Sequence, residues 1–135
     1  MNKVNCLIID DDADDRDIFE IALGESDSQF SLTALDSGHK ALEMLSTGNN
    51  LPDYIFLDLN MPLLSGKECL SEIRNINGLD KVPVVIYSTS SYSKDIEDTK
   101  MLGANHFLTK TPDIRRLSEI LKEIFSGREL PYELT

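Results

Sequence analysis

Two apolar runs in this chain stop abruptly at carboxylates. Val4-Asn5-Cys6-Leu7-Ile8-Ile9 is followed by Asp10, Asp11 and Asp12, and Tyr54-Ile55-Phe56-Leu57 by Asp58. Runs this short and this apolar suit strands buried on both sides, as in parallel sheets whose faces helices cover. Each carboxylate then stands at the C-terminal end of its strand, the edge where open α/β sheets bind ligands. Carboxylates gathered there repel one another unless a cation or a proton intervenes. Fold and chemistry are constrained together: a parallel sheet carrying a small acidic site for a hard metal ion.

The rest of the chain alternates in the same way. Ile18, Phe19, Ala22 and Leu23 recur at helical spacing over Asp12–Leu23, with Asp14-Asp15 read as a solvated face and Gly24 as a stop. Phe30–Leu35 reads as a second strand, and Asp36 or Ser37 caps a helix carrying Ala41, Leu42 and Leu45. After the strand ending at Asp58, Asn60-Met61-Pro62 and Ser65-Gly66 read as loop, and a helix runs from about Lys67 to Arg74. Val82–Tyr87 is a fourth strand, with Pro83 at its tolerated start. Ser93 is the candidate cap of a helix containing Ile96, Met101 and Leu102. Asn105–Thr109 gives a fifth, less apolar strand, and Ile114, Leu117, Ile120-Leu121 and Ile124-Phe125 mark a final helix that Gly127 ends. Five strands alternating with five helices predict an α/β, doubly wound (βα)5 three-layer fold. Residues 1–127 form the expected domain. Residues 128–135 are a tail without periodicity, and no output domain is expected.

Composition narrows the function classes. The 135 residues carry a net charge of −11, which disfavours nucleic acid and anionic membranes as partners. Arg115-Arg116 is only a pair. No apolar stretch approaches the roughly 20 residues of a spanning helix, and no secretory leader pattern is present. Cys6 and Cys69 fall in apolar patterns and read as buried free thiols in a reducing cytoplasm. His39 and His106 have no partners in sequence.

Loops that follow parallel strands open on one edge, so Asp10, Asp11, Asp12, Asp58, Ser88, Thr89 and Lys110 are expected to converge. Their chemistry is complementary. Mg²⁺ takes oxygen ligands from one or two carboxylates and a phosphate. A carboxylate beside it can attack phosphorus. A lysine and a hydroxyl can meet the charge on the phosphoryl oxygens.

The pattern LIIDDD, then LDLNMP followed by SG, then VIYSTS, then a lone lysine after FLT, resembles the receiver domain of two-component response regulators, from about Lys3 to Phe125. The resemblance implies a flavodoxin-like sheet of order 2-1-3-4-5. It implies Asp58 as phosphoacceptor and Mg²⁺ held by Asp10, Asp11, Asp58 and the backbone carbonyl of Asn60. Ser88 and Lys110 are implied as contacts of the phosphoryl group, and Ser88 with Phe107 as the switch pair, Phe107 reading otherwise as a core residue. Asp12 and Thr89 have no assigned role. One departure is visible: family members place proline directly after the lysine, whereas here Thr111 intervenes before Pro112. A cis Lys110-Thr111 bond costs about 2.5–4 kcal/mol, against about 0.5–1 kcal/mol before proline. The loop is therefore either trans and rebuilt, or cis and held by the pocket.

The implied function is a cytoplasmic bacterial signalling protein, similar to small receivers paired with bacteriophytochromes and other sensor kinases. It takes a phosphoryl group from a sensor histidine kinase or a histidine phosphotransfer protein and then binds a downstream protein or relays the group. A homodimer is left open. Two alternatives stand beside it. A hydrolytic phosphatase with an aspartyl intermediate needs an acid/base where Asn60 stands, and Asn60 is poorly suited to that role. A binding module independent of phosphorylation would not need the acidic set.

Overall fold

In a computed structural model of the chain, residues 3–26 and 29–135 are described. The apolar runs become β1 (Val4–Ile9), β2 (Phe30–Leu35), β3 (Tyr54–Leu57), β4 (Val84–Ser88) and β5 (His106–Thr109). Between and after them lie α1 (Ala13–Gly24), α2 (Gly38–Leu45), α3 (Gly66–Arg74), α4 (Ser93–Met101) and α5 (Ile114–Phe125). All strands pair in parallel, in the order β2-β1-β3-β4-β5, and the expected doubly wound α/β fold is present.

Strand alternation sends successive side chains to opposite faces, and this builds two cores. Leu7, Ile9, Ile55, Leu57, Val84, Ile86 and Phe107 face α2 and α3, where Ala41, Leu45, Cys69, Leu70 and Ile73 meet them. Cys6, Ile8, Phe56, Val85, Tyr87 and Leu108 face α1 and α5, packing on Phe19, Leu23, Leu117 and Leu121. The Phe19 ring lies 4.7 Å from Phe56 and 5.6 Å from Tyr87, centroid to centroid. Both cysteines are free and buried, and burial pushes each thiol up to about 12. Among the described residues no helix is long and apolar enough to cross a membrane.

The tail corrects the expected five strands to six. Glu133–Leu134 forms β6, parallel to the outer side of β5, with Phe107 opposite Glu133 and Leu108 opposite Leu134. Leu134 is buried, the Tyr132 hydroxyl lies 2.8 Å from Thr99 Oγ1 on α4, and Arg116 on α5 donates to the Thr135 carbonyl. His106 Nδ1 lies 2.9 Å from the Pro131 carbonyl. A two-residue strand is too short to show a period, so no sequence pattern announces it.

Capping also differs in detail. Ser37, not Asp36, caps α2, while Asp36 pairs with Lys40. Ser93 is the first residue of α4 rather than its cap; the cap position is Tyr92, which makes no side-chain bond. Ser65 and Glu68 form a reciprocal capping box on α3.

Candidate functional site

The sheet delivers Asp10 and Asp58 to neighbouring strand ends, because β1 and β3 pair side by side with Ile9 opposite Leu57. Asp58 N–H donates to the Ile9 carbonyl at 2.9 Å, tying the two ends together. Carboxylate oxygens of Asp10, Asp11 and Asp58 lie within 4.8 Å of one another. Asp10 and Asp58 are buried and Asp11 is exposed, so the cluster has a floor and an open side. Above it a cleft of about 390 Å³ is lined by Asp11, Asp58, Asn60, Thr89 and Lys110, with Asp12 and Asp15 at its α1 side. A larger cleft, about 580 Å³, lies among Asn5, Ser31, Thr33 and Met44 and contains none of these residues.

Gly66 shapes the loop after Asp58. Its N–H donates to the Leu59 carbonyl at 2.8 Å, and a Cβ there would stand 2.2 Å from the Asp58 carbonyl oxygen. Only glycine permits that approach, so Gly66 is required by packing against the site strand, while Ser65 before it caps α3.

Lys110 enters from the end of β5. Its backbone N–H donates to the Ser88 carbonyl at 2.8 Å. Its ammonium lies 2.8 Å from Asp10 Oδ2, 2.8 Å from Asp15 Oδ2 and 3.7 Å from Asp58 Oδ1. The contact with Asp10 is one of charge: that buried oxygen accepts no hydrogen bond. Burial alone would lower the Lys110 ammonium, but the surrounding carboxylates outweigh it and hold it above the ordinary lysine value. Burial pushes the Asp58 carboxyl up from 3.8 to about 7, with the Asp10 charge adding to the effect; Lys110 and the Asn60 backbone N–H pull it back. An acid with a near neutral value among like charges, beside an orphaned buried carboxylate oxygen, fits a divalent oxygen-seeking cation.

The expected residues do not all arrive in the same way. Asp12 has a clear local role: it caps α1, its carboxylate accepting from the N–H groups of Asp14 and Asp15. Thr89 lines the cleft, whereas Ser88 is fully buried and its Oγ accepts from Ser90 N–H at 3.1 Å. Phe107 is buried in β5, packed in the same core as Ile86. No cis peptide occurs among the described residues, so Lys110-Thr111 is trans. Asp15 is the residue missed. The sequence pattern assigns it to a solvated face, whereas in the structure it is half-buried and its carboxylate accepts a hydrogen bond from the Lys110 ammonium. Its spacing three residues after Asp12 is the available signal, placing it over the strand ends one turn into α1.

A family model described as response regulator receiver domain matches residues 6–122. The chain belongs to this family. It is 33% identical over 129 residues to response regulator Rcp1 of Synechocystis, covering 92% of this chain and 87% of that one. It is 37% identical over 120 residues to the two-component response regulator ORR5 of Oryza sativa, covering 86% and 87% respectively. Among solved structures, the phosphorylated cyanobacterial phytochrome response regulator RcpA superposes with a TM-score of 0.84 at 30% identity, covering 96% of this chain and 99% of that one. The Mn²⁺-bound form of Rcp1 gives 0.79 at 29%, with 94% and 98% covered. The receiver's acidic triad is consistent with the magnesium-dependent phosphoacceptor site typical of the family, and the chain is classed with signalling domains rather than enzymes.

Proposed function

We propose that Asp58 takes a phosphoryl group from a phosphohistidine of a sensor histidine kinase or a histidine phosphotransfer protein. The observation that carries this reading is the meeting of Asp10, Asp11 and Asp58 within 4.8 Å, with Lys110 against them. An Asp58 carboxylate oxygen attacks phosphorus, the phosphorus–nitrogen bond breaks, and the imidazole nitrogen keeps its electron pair and takes a proton from water. Asp10, Asp11, Asp58 and the Asn60 carbonyl would hold Mg²⁺, which when bound would supply positive charge against the phosphoryl oxygens. Lys110 offers its ammonium to the same oxygens. Ser88 gives up its bond from Ser90 N–H to meet the group, and Phe107, on the adjacent strand, follows. The likeness to RcpA, described as phosphorylated, and to Rcp1 in its Mn²⁺-bound form supports this assignment. The new charge biases two arrangements of the domain and so changes binding to a downstream protein. Residues 1–127 act as the receiver and residues 128–135 as its C-terminal strap.

Acetyl phosphate with Mg²⁺, followed by intact mass, tests the reading. The expected outcome is one added phosphoryl group in the parent and none in Asp58→Ala. A persistent adduct on Asp58→Ala would refute Asp58 as the acceptor. Sustained turnover of small phosphomonoesters would favour a phosphatase instead.

A further inference from the structure

Lys110 is pinned from a direction that the phosphoacceptor reading does not use. Among the described residues its one hydrogen bond to a carboxylate runs to Asp15 on α1, at 2.8 Å, whereas its equally short contact with Asp10 lacks hydrogen-bond alignment. The first turn of α1 is a firm base for that bond. Asp12 caps it, and Arg16 Nη1 donates to the Asp10 carbonyl at 2.8 Å, locking the turn to the end of β1. Below the ammonium, 5.3 Å away, lies the Tyr87 ring. An ammonium carries three donors on a flexible stem. Without a directional acceptor on the α1 side it would turn fully onto buried Asp10, away from the place where a group on Asp58 stands.

We propose that Asp15 is a positioning residue for phosphotransfer: it holds the Lys110 ammonium from the α1 side, so that a donor stays free beside Asp58. The inference rests on the phosphoacceptor reading of Asp58. Asp15 touches neither that carboxylate nor the transferred group; it acts through Lys110. Its neighbour Asp14 is exposed, and the ion pairs of Lys110 run to Asp10, Asp15 and Asp58 instead, which makes Asp14 a charge-matched control one residue away.

The test measures the rate of Asp58 phosphorylation by acetyl phosphate at saturating Mg²⁺ in the parent, Asp15→Ala and Asp14→Ala. Asp15→Ala is expected to lower the rate at saturating donor about tenfold, with the half-saturating donor concentration unchanged, because Asp15 itself touches no donor and the displaced Lys110 ammonium is needed most where charge develops in the transition state. Asp14→Ala is expected to behave as the parent. An Asp15→Ala rate within about twofold of the parent would overturn the proposal, and so would an equal loss in Asp14→Ala, which would assign the effect to the general acidic field. A parent that is not phosphorylated at all would instead refute the reading of Asp58. A second measurement needs no variant. By heteronuclear NMR the Lys110 ammonium protons of the parent should exchange with water far more slowly than those of exposed Lys94; equal exchange would overturn the held ammonium.

Discussion

Helices α1 and α4 flank the same strand ends from opposite faces of the sheet, and different physics holds each in place. Helix α1 buries Phe19, Ala22 and Leu23, carries a side-chain cap in Asp12 and is tied to β1 by Arg16. Helix α4 buries only Thr99 and has no side-chain cap. Its anchors are polar: Lys67 at the start of α3 pairs with Asp95 at 2.8 Å and Asp98 at 3.0 Å, Ser90 donates to Asp95, and Tyr132 of the strap meets Thr99. Apolar burial fixes an element closely, while half-exposed ion pairs contribute little and exchange readily. The α1 side is therefore the fixed wall of the site, and α4 is the element that shifts at least cost. Ser88 connects the site to that side through Ser90, whose hydroxyl in turn holds Asp95.

The largest effect should fall on the fixed wall. Phe19→Ala removes a fully buried ring that touches Phe56 and Tyr87, and is expected to cost about 3–5 kcal/mol in urea unfolding. Ile96→Ala, half-buried on α4, should cost about 1 kcal/mol. Equal losses would break the contrast.

A smaller effect comes from the floor between the two walls. In the fold the Asp58 carboxyl keeps its proton up to about pH 7, while its ordinary value is 3.8. Between those values the folded chain binds more protons than the unfolded one. The stability contributed by this group is thus full below 3.8, falls as pH rises and is gone above about 7. Without metal, Asp58→Asn should flatten this dependence and exceed the parent in stability at about pH 8 by on the order of 2 kcal/mol. Mg²⁺ works in the opposite sense: it needs the carboxylate, so its affinity should rise with pH through about 7, as titration calorimetry would show.

The strands and their partner helices were legible because each carries a hydrophobic period over several residues. The convergence of Asp10, Asp11, Asp58 and Lys110 was legible for a topological reason: parallel strands place every following loop on one edge. What stayed hidden lacked either a period or proximity. Glu133–Leu134 is too short to alternate. Asp15 and Lys110 are 95 residues apart, and an acid on a charged helix face reads as solvated until the fold brings a lysine to it. Asp12 looked equal to its neighbours because an acid before a helix serves equally well as metal ligand or cap; only the N–H groups of Asp14 and Asp15 decide between them.

The finest comparison sets one anchor of α1 against one of α4. Asp12→Ala strands two N–H groups at a helix start and should cost about 1 kcal/mol. A cap bond acts at short range, so high salt should leave most of that loss in place. Lys67→Ala removes two ion pairs whose partners are about a quarter to a third exposed, and should cost about 0.5 kcal/mol at low salt. At about 1 M salt the screening length falls to about 3 Å, and most of this smaller loss should vanish. Urea midpoints of both variants at low and high salt measure the difference. A Lys67→Ala loss that matches Asp12→Ala and survives high salt would mean that α4 is as firmly fixed as α1, and Ser90 and Asp95 would then have no movable element to act on.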